Sequence, residues 1–382
     1  MSLRTPGLVD GLSDAALLPF QVLAPDGSYD PARLDALGLG QDAELLLRLY
    51  RGMALIRIMD ERLLTLQRQG RISFYGEARG QEAAIVGTAA ALGPEDYIVP
   101  ALREAGAGIF RGIRLRDYVA QIFGNANDVC KGRQMPCHPG SRATRYVTMS
   151  SCIATQLPHA TGMAMAAQRL GHKTVIAGYL GDGATSEGDF HVGLNFAGVF
   201  RAPVVFVCQN NQWAISTPVS AQTGARSMCE KALAYGIPAI RVDGNDALAC
   251  FAVMREAAAR ARSGGGPQFI EALTYRVSAH SSSDDPSRYR DESVTAVWRD
   301  QRCPLARFRT FLASRGLLSE KADAELRAEL DAEVRDAIAA EEAAPMPPLS
   351  TLVEDVFAQV PASLAEQLRE VAIVAAPPAR HG

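Results

Sequence analysis

Apolar positions along this chain switch repeatedly between a helical and an extended period. Leu45, Leu46, Leu49, Tyr50, Met53, Ile56, Met59, Leu63 and Leu66 recur at helical spacing and predict a long helix over 41–70. Beyond it the same spacing predicts helices over 81–92, 104–111, 115–124, 155–170, 186–199 and 246–262. Short β-branched or apolar runs between them predict strands over 96–100, 174–180, 204–208, 238–242 and 268–275. Strands separated by helices require right-handed crossovers, so the fold class is α/β: a doubly wound, mostly parallel sheet with helices on both faces. Residues 300–345 read as two further helices, the second rich in Ala and Glu and ended by Pro345, Pro347 and Pro348. A short helix over 362–372 precedes an Ala/Pro tail expected to be disordered. Residues 1–40 carry turn formers (Pro6, Gly7, Pro25, Gly27, Pro31, Gly38) and weak periodicity, as an extended arm would. The division is therefore an arm at 1–40, one large domain at 41–345, and a C-terminal helix and tail at 346–382. No internal repeat and no low-complexity linker interrupts it.

Composition narrows the function classes. The 382 residues are 48% hydrophobic and 21% charged, ordinary for a globular chain with a large core. A formal net charge of −3 and only 7% aromatics offer nothing to nucleic acid or to an anionic membrane. No apolar run reaches the ~18 residues that would span a bilayer. The start, MSLRTPGLVDGLSDAALLPF, has neither the basic flank and apolar centre of a signal peptide nor the Arg- and Ser-rich character of a transit peptide, so a cytoplasmic location is expected. The seven Cys have no C-x-x-C spacing, which favours free thiols over disulfides or a zinc site.

The strongest chemical signal lies between residues 181 and 211. Gly181-Asp182-Gly183 follows the strand predicted over 174–180, and Asn210-Asn211 follows the one over 204–208. Strand, turn, helix, strand and loop together deliver one carboxylate and one amide oxygen to the same edge of a parallel sheet. Hard oxygens there suit Mg²⁺ held against a diphosphate. Gly181 and Gly183 leave room for the phosphates, Ala184 keeps the approach open, and the N-terminus of the following helix favours an anion. Asp182 and Asn211 would bind the metal by their side chains and Trp213 by its backbone carbonyl. Taken alone, Asp-Gly is a common turn and Asn-Asn a common loop; the paired strand contexts favour the metal reading. A dinucleotide site fits less well: the turn reads G-D-G-A-T-S, without the third glycine and without an acidic residue placed for the ribose.

This turn and its paired asparagines resemble the magnesium and diphosphate signature of thiamine diphosphate enzymes. Further blocks are QRQGRISFYGEARGQEA at 67–83, REAG at 103–106, KGRQMP at 131–136, SSCIATQLPHATG at 150–162, RVDGND at 241–246 and AHSSSDDPSRYR at 279–290. With these, the chain resembles, from about residue 45 to 372, the alpha subunits of heterotetrameric 2-oxo acid dehydrogenases. The last block and the RISFY segment are similar to the branched-chain members; pyruvate or acetoin enzymes are the nearest alternative, and a non-catalytic assembly partner is a more distant one.

The resemblance implies roles residue by residue. Arg103 would bind the diphosphate; the alternative is a surface arginine at a helix start. Ser151 and the Ile153 backbone would touch the aminopyrimidine side of the cofactor. Ser150, Cys152, Thr155 and Gln156 match a loop that holds K⁺, although hydroxyls at a helix start are more often plain caps. His280 would contact the cofactor, act as the catalytic acid–base at the substrate carbonyl, and assist transfer to a lipoyl group. Phe74 either lines a branched-chain substrate pocket or is a core aromatic. Ser281 matches a serine phosphorylated in mitochondrial relatives. Leu102 and Gln209 depart from the family, which often has Tyr and Arg there, both touching the diphosphate. The implied activity is decarboxylation of a small 2-oxo acid with acyl transfer to a lipoyl-bearing dihydrolipoamide acyltransferase. No glutamate here is placed to activate the cofactor. The resemblance puts that group on a separate beta subunit in a heterotetramer. The helix over 41–70 and the small residues of 155–170 (Ala160, Gly162, Ala164, Ala166, Ala167) are candidates for subunit contacts or for internal packing.

Overall fold

The computed structural model describes residues 17–375, with side chains described through residue 371. The first 16 residues of the expected arm and the tail from 376 lie outside the described residues. Among the described residues there are seven strands: β1 (Tyr97–Val99), β2 (Ile176–Gly181), β3 (Val204–Asn210), β4 (Trp213–Ala214), β5 (Thr217–Pro218), β6 (Ala239–Asp243) and β7 (Gln268–Leu273). Five form one sheet in the order β1-β2-β3-β7-β6, and every neighbouring pair is parallel. The short β4–β5 hairpin stands apart from it.

The alternation of side chains along the inner strands sorts them onto two cores. Ala177, Tyr179, Val205 and Val207 join the larger cluster, with the helices Ala43–Arg68, Glu82–Ala90 and Ala247–Arg260. Ile176, Leu180, Val204, Phe206 and Cys208 join the second, with Gln156–Arg169 and Gly188–Phe200. All of β3 is buried, as a central parallel strand covered on both faces must be. Helices on both faces of a parallel sheet are the expected doubly wound arrangement.

Two helices with candidate contact faces pack largely within the chain. Helix Ala43–Arg68 is capped by Asp42, and its apolar face (Leu46, Leu49, Tyr50, Met53, Met59, Leu63) is consumed inside the chain. Tyr50 on that helix donates to Asp323 of helix Glu320–Glu342 at 2.6 Å. In helix Gln156–Arg169, Ala160, Ala164 and Ala167 are buried. A Cβ on Gly178 of β2 would sit 3.1 Å from Ala160 Cβ, so small residues permit this close approach of helix and sheet. Gly162 and Ala166 of the same helix stay exposed.

The described part of the arm adds a rung to the sheet. Phe20 bridges Val242 in parallel: its N–H donates to the Arg241 carbonyl at 2.8 Å, and its carbonyl accepts from Asp243 at 2.9 Å. Buried Asp246 accepts from Val22 and Leu23 and caps helix Ala247–Arg260. Among the described residues no helix is long and apolar enough to cross a membrane.

Candidate active site

Register brings the two halves of the signature together. Gly181, the last residue of β2, pairs with Gln209 of β3, so Asp182 and Asn211 leave the sheet side by side at its C-terminal edge. Asn210 pairs with Leu273 of β7. The chain beyond β7 stays attached to the asparagine pair: Thr274 donates to the Asn210 carbonyl at 2.9 Å and Arg276 to the Asn211 carbonyl at 3.2 Å. This run leads to His280. Three strand ends therefore converge on one cleft of about 400 Å³.

The cleft is lined by nearly every residue singled out from the sequence: Phe74, Arg103, Ser150, Ser151, Ile153, Gln156, Gly181, Asp182, Gly183, Ala184, Asn211, Trp213 and His280. Cys152 and Thr155 are absent from its wall. Cys152 is exposed, and Thr155 donates to Asp189 at 3.2 Å. Gln156 turns inward and donates to the Tyr179 carbonyl at 2.9 Å.

Asp182 is 1% exposed, and its carboxylate is half satisfied. Oδ2 accepts from Gln222 at 3.0 Å, whereas Oδ1 has no partner. Burial raises its pKa above the usual carboxylate range. The Asn211 side chain donates to Gln81 at 3.2 Å and accepts only the Trp213 N–H, also at 3.2 Å. A buried carboxylate oxygen left open beside an amide oxygen is a costly arrangement unless a cation completes it, and hard oxygens fit Mg²⁺. Neither Gly181 nor Gly183 takes a positive φ; a Cβ on Gly183 would lie 2.7 Å from Ala214 Cβ, so glycine there lets the β4–β5 hairpin pack on the turn, whereas a Cβ on Gly181 would meet nothing within 4 Å. The helix expected from 186 begins at Gly188, because a 3₁₀ turn, Asp182–Ser186, comes first. That turn, not the α-helix, opens directly at the sheet edge.

Arg103 is buried, which excludes the surface-arginine alternative. It donates to the Glu77 carbonyl and, through Nη2, to the His280 carbonyl at 2.7 Å. Burial, then the neighbouring Arg276, brings its pKa down to about 10. The His280 pKa is lowered to about 4, first by burial and then by Arg103 and Arg276. Asp284 holds the loop by accepting from the His280 N–H at 2.7 Å. Arg276 bonds Tyr289 at 2.7 Å, and Tyr289 bonds Asp284, which closes the loop on itself. Phe74 packs against the core and lines the cleft, as do the apolar side chains of Leu102, Met135 and Met149.

Some cleft residues escaped the sequence reading. Glu104 is buried, accepts from the Gln209 side chain and from the Arg103 N–H, and has its pKa pushed up by burial to about 7. His138 bonds Ser151 at 2.7 Å. Gln222 and Gln81 hold the Asp182 and Asn211 side chains. Each is a long-range pairing with no local spacing to announce it, although Glu104 lay within the REAG block.

The family profile described as dehydrogenase E1 component matches residues 50–350. The chain is 45% identical over 324 residues to the 2-oxoisovalerate dehydrogenase subunit alpha 2, mitochondrial, of Arabidopsis thaliana, covering 85% of this chain and 69% of that protein. It is 46% identical over 330 residues to the 3-methyl-2-oxobutanoate dehydrogenase subunit alpha of Mycobacterium tuberculosis, covering 86% and 87%. Against the human 2-oxoisovalerate dehydrogenase subunit alpha, mitochondrial, it is 42% identical over 329 residues, covering 86% and 74%.

Proposed function

The chain belongs to the dehydrogenase E1 component family, and from that membership and its cleft we infer that it is the alpha subunit of a thiamine diphosphate-dependent branched-chain 2-oxo acid dehydrogenase. The reaction is oxidative decarboxylation of 3-methyl-2-oxobutanoate and related acids, with the acyl group passed to a lipoyl group on an acyltransferase. The relatives named above carry that substrate in their names. The observation that carries the site is the open, buried Oδ1 of Asp182 beside Asn211 at the ends of neighbouring strands.

Thiamine diphosphate, when bound, supplies the carbon nucleophile and the electron sink. The chain's own residues hold and orient it. Asp182, Asn211 and the Trp213 carbonyl would take Mg²⁺, and Gly183 keeps the approach clear. Arg103 supplies a fixed cation for phosphate oxygens. Ser151 and the Ile153 backbone would meet the aminopyrimidine side. The Ser150–Gln156 turn is the place for K⁺. Phe74, Leu102, Met135 and Met149 offer the apolar surface that a branched side chain needs.

His280 is neutral at pH 7, given its lowered pKa. Its Nδ1 lies 3.5 Å from Arg103 Nη2, which only donates, so Nδ1 keeps its lone pair and Nε2 carries the hydrogen. His280 is thus set to donate a hydrogen bond from its neutral Nε2–H to a substrate oxygen, and so to favour charge that develops there.

A beta subunit would supply the activating glutamate and complete a heterotetramer. All seven cysteines are free thiols, which supports a reducing compartment, and we place the chain in the cytoplasm. The test is reconstitution. The chain alone should not decarboxylate 3-methyl-2-oxobutanoate; with its beta subunit, thiamine diphosphate and Mg²⁺ it should, in preference to pyruvate. Full activity of the isolated chain, or preference for pyruvate, would overturn the assignment.

A further inference from the structure

One hydrogen bond in the cleft has a direction fixed by its surroundings. His138 is 3% exposed and lines the cleft with Ser151. Its Nδ1 lies 3.0 Å from the Pro136 carbonyl oxygen, and its Nε2 lies 2.7 Å from Ser151 Oγ. A carbonyl oxygen only accepts, so Nδ1 carries the ring hydrogen. In the neutral ring Nε2 is then a lone pair, and the Ser151 hydroxyl must donate to it. Ser151 is left with only lone pairs to offer the cleft.

The surroundings hold both partners. Gln121 accepts from the His138 N–H at 3.1 Å and donates to the Met135 carbonyl at 2.7 Å, clamping the chain on either side of Pro136. Cys137 (φ 68°) and Ala154 (φ 69°) lie in the left-handed region, which L residues seldom occupy. Backbone held in this way beside a cleft is a feature of ligand-orienting sites. Neither the metal nor the diphosphate requires His138.

We propose that His138 is a positioning residue that makes the Ser151 hydroxyl an obligate acceptor, matched to an N–H donor on the ligand and mismatched to a carbonyl oxygen. This rests on the cleft being a thiamine diphosphate site with Ser151 on the aminopyrimidine side. The donor is then the exocyclic amino group. Oxythiamine diphosphate, which has oxygen at that carbon, would set lone pair against lone pair. Without His138 the hydroxyl is free to turn and donate, and the discrimination is lost.

The test is calorimetric titration of the chain assembled with its beta subunit in Mg²⁺, with thiamine diphosphate and with oxythiamine diphosphate, in the absence of substrate. The measured quantity is the ratio of the two affinities. His138→Phe removes the acceptor and should lower the preference for the amino compound roughly tenfold, the scale of one hydrogen bond. His138→Gln restores an acceptor oxygen near the Nε2 position and should recover most of the preference. Ser151→Ala should lower it as His138→Phe does, and adding His138→Phe to Ser151→Ala should change it no further. If His138→Phe does not fold, His138→Gln and Ser151→Ala still decide: equal loss in both, or loss in neither, overturns the proposal. An unchanged ratio in folded His138→Phe overturns it and leaves the cofactor assignment standing. Failure of the unmodified assembly to bind either compound overturns the assignment, and the proposal with it.

Discussion

Gln222 Nε2 donates to Asp182 Oδ2 at 3.0 Å, while the buried Asp182 Oδ1 meets no donor. A carboxylate tied on one side and open on the other is pre-aimed at a cation and destabilised without one. Asp182→Asn keeps an oxygen for Gln222 and removes the buried charge. It should abolish Mg²⁺-dependent binding of thiamine diphosphate by calorimetry. The melting temperature of the metal-free chain should stay the same or rise by a few degrees, as when a functional site's strain is relieved. A large drop in melting temperature would show that the carboxylate is structural.

Gly183 tests the same site by shape. A Cβ there would meet Ala214 Cβ at 2.7 Å, closer than real side chains come, with the β4–β5 hairpin behind it. Gly183→Ala should therefore push the hairpin, and with it Trp213, out of place. We expect cofactor affinity to fall at least about tenfold, while stability falls by no more than roughly 1–3 kcal/mol, the range for local overpacking. Gly188→Ala, where a Cβ meets nothing within 4 Å, is the control and should leave affinity unchanged.

The pairing of Arg103 with the His280 loop makes a pH prediction. Burial, Arg103 and Arg276 lower the His280 pKa from its ordinary 6.5 to about 4. In an NMR titration its ring should stay neutral down to about pH 4, and Arg103→Gln should move the midpoint upward. The unfolded chain binds the proton first, so His280 contributes stability that is present above its ordinary value and is lost as pH falls toward 4. His280→Ala should retain cofactor but slow turnover by ~10² or more, the scale of losing one hydrogen-bond donor to a reacting oxygen.

How far the sequence announces this site depends on distance along the chain. The Asp182 and Asn211 pair was legible because each follows a strand, and neighbouring parallel strands must end at one edge. The fold was legible for the same reason: the strands are short and apolar and the helices long and periodic, so both periods stand out. Short helices such as Met228–Leu233 and the β4–β5 hairpin carry too few residues to show a period. Polar pairs such as Glu104 with Gln209, or His138 with Ser151, join residues brought together only by the finished tertiary structure. The choice between subunit contact and internal packing for helix Ala43–Arg68 was also beyond periodicity, which marks an apolar face but not what covers it.

Glu104 and Gln209 carry the last prediction. The Gln209 side chain donates to Glu104, and its own amide oxygen has no partner. Burial raises the Glu104 carboxyl pKa from 4.5 to about 7, outweighing the backbone N–H groups and the Arg103 charge that act to lower it. The folded chain therefore binds this proton more tightly than the unfolded one. Its contribution to stability is full below pH 4.5 and is lost as pH rises through about 7. Glu104→Gln removes the titration, so its melting temperature should gain on that of the parent between pH 5 and pH 8. Gln209→Arg should act in the opposite manner on the same carboxyl: a guanidinium beside it favours the charged form and brings the midpoint down. It also adds a cation to a cleft that must hold a diphosphate, so calorimetry at pH 8 should show tighter binding of thiamine diphosphate than in the parent. Parallel melting curves for Glu104→Gln and the parent across that pH range would show that Glu104 does not titrate there.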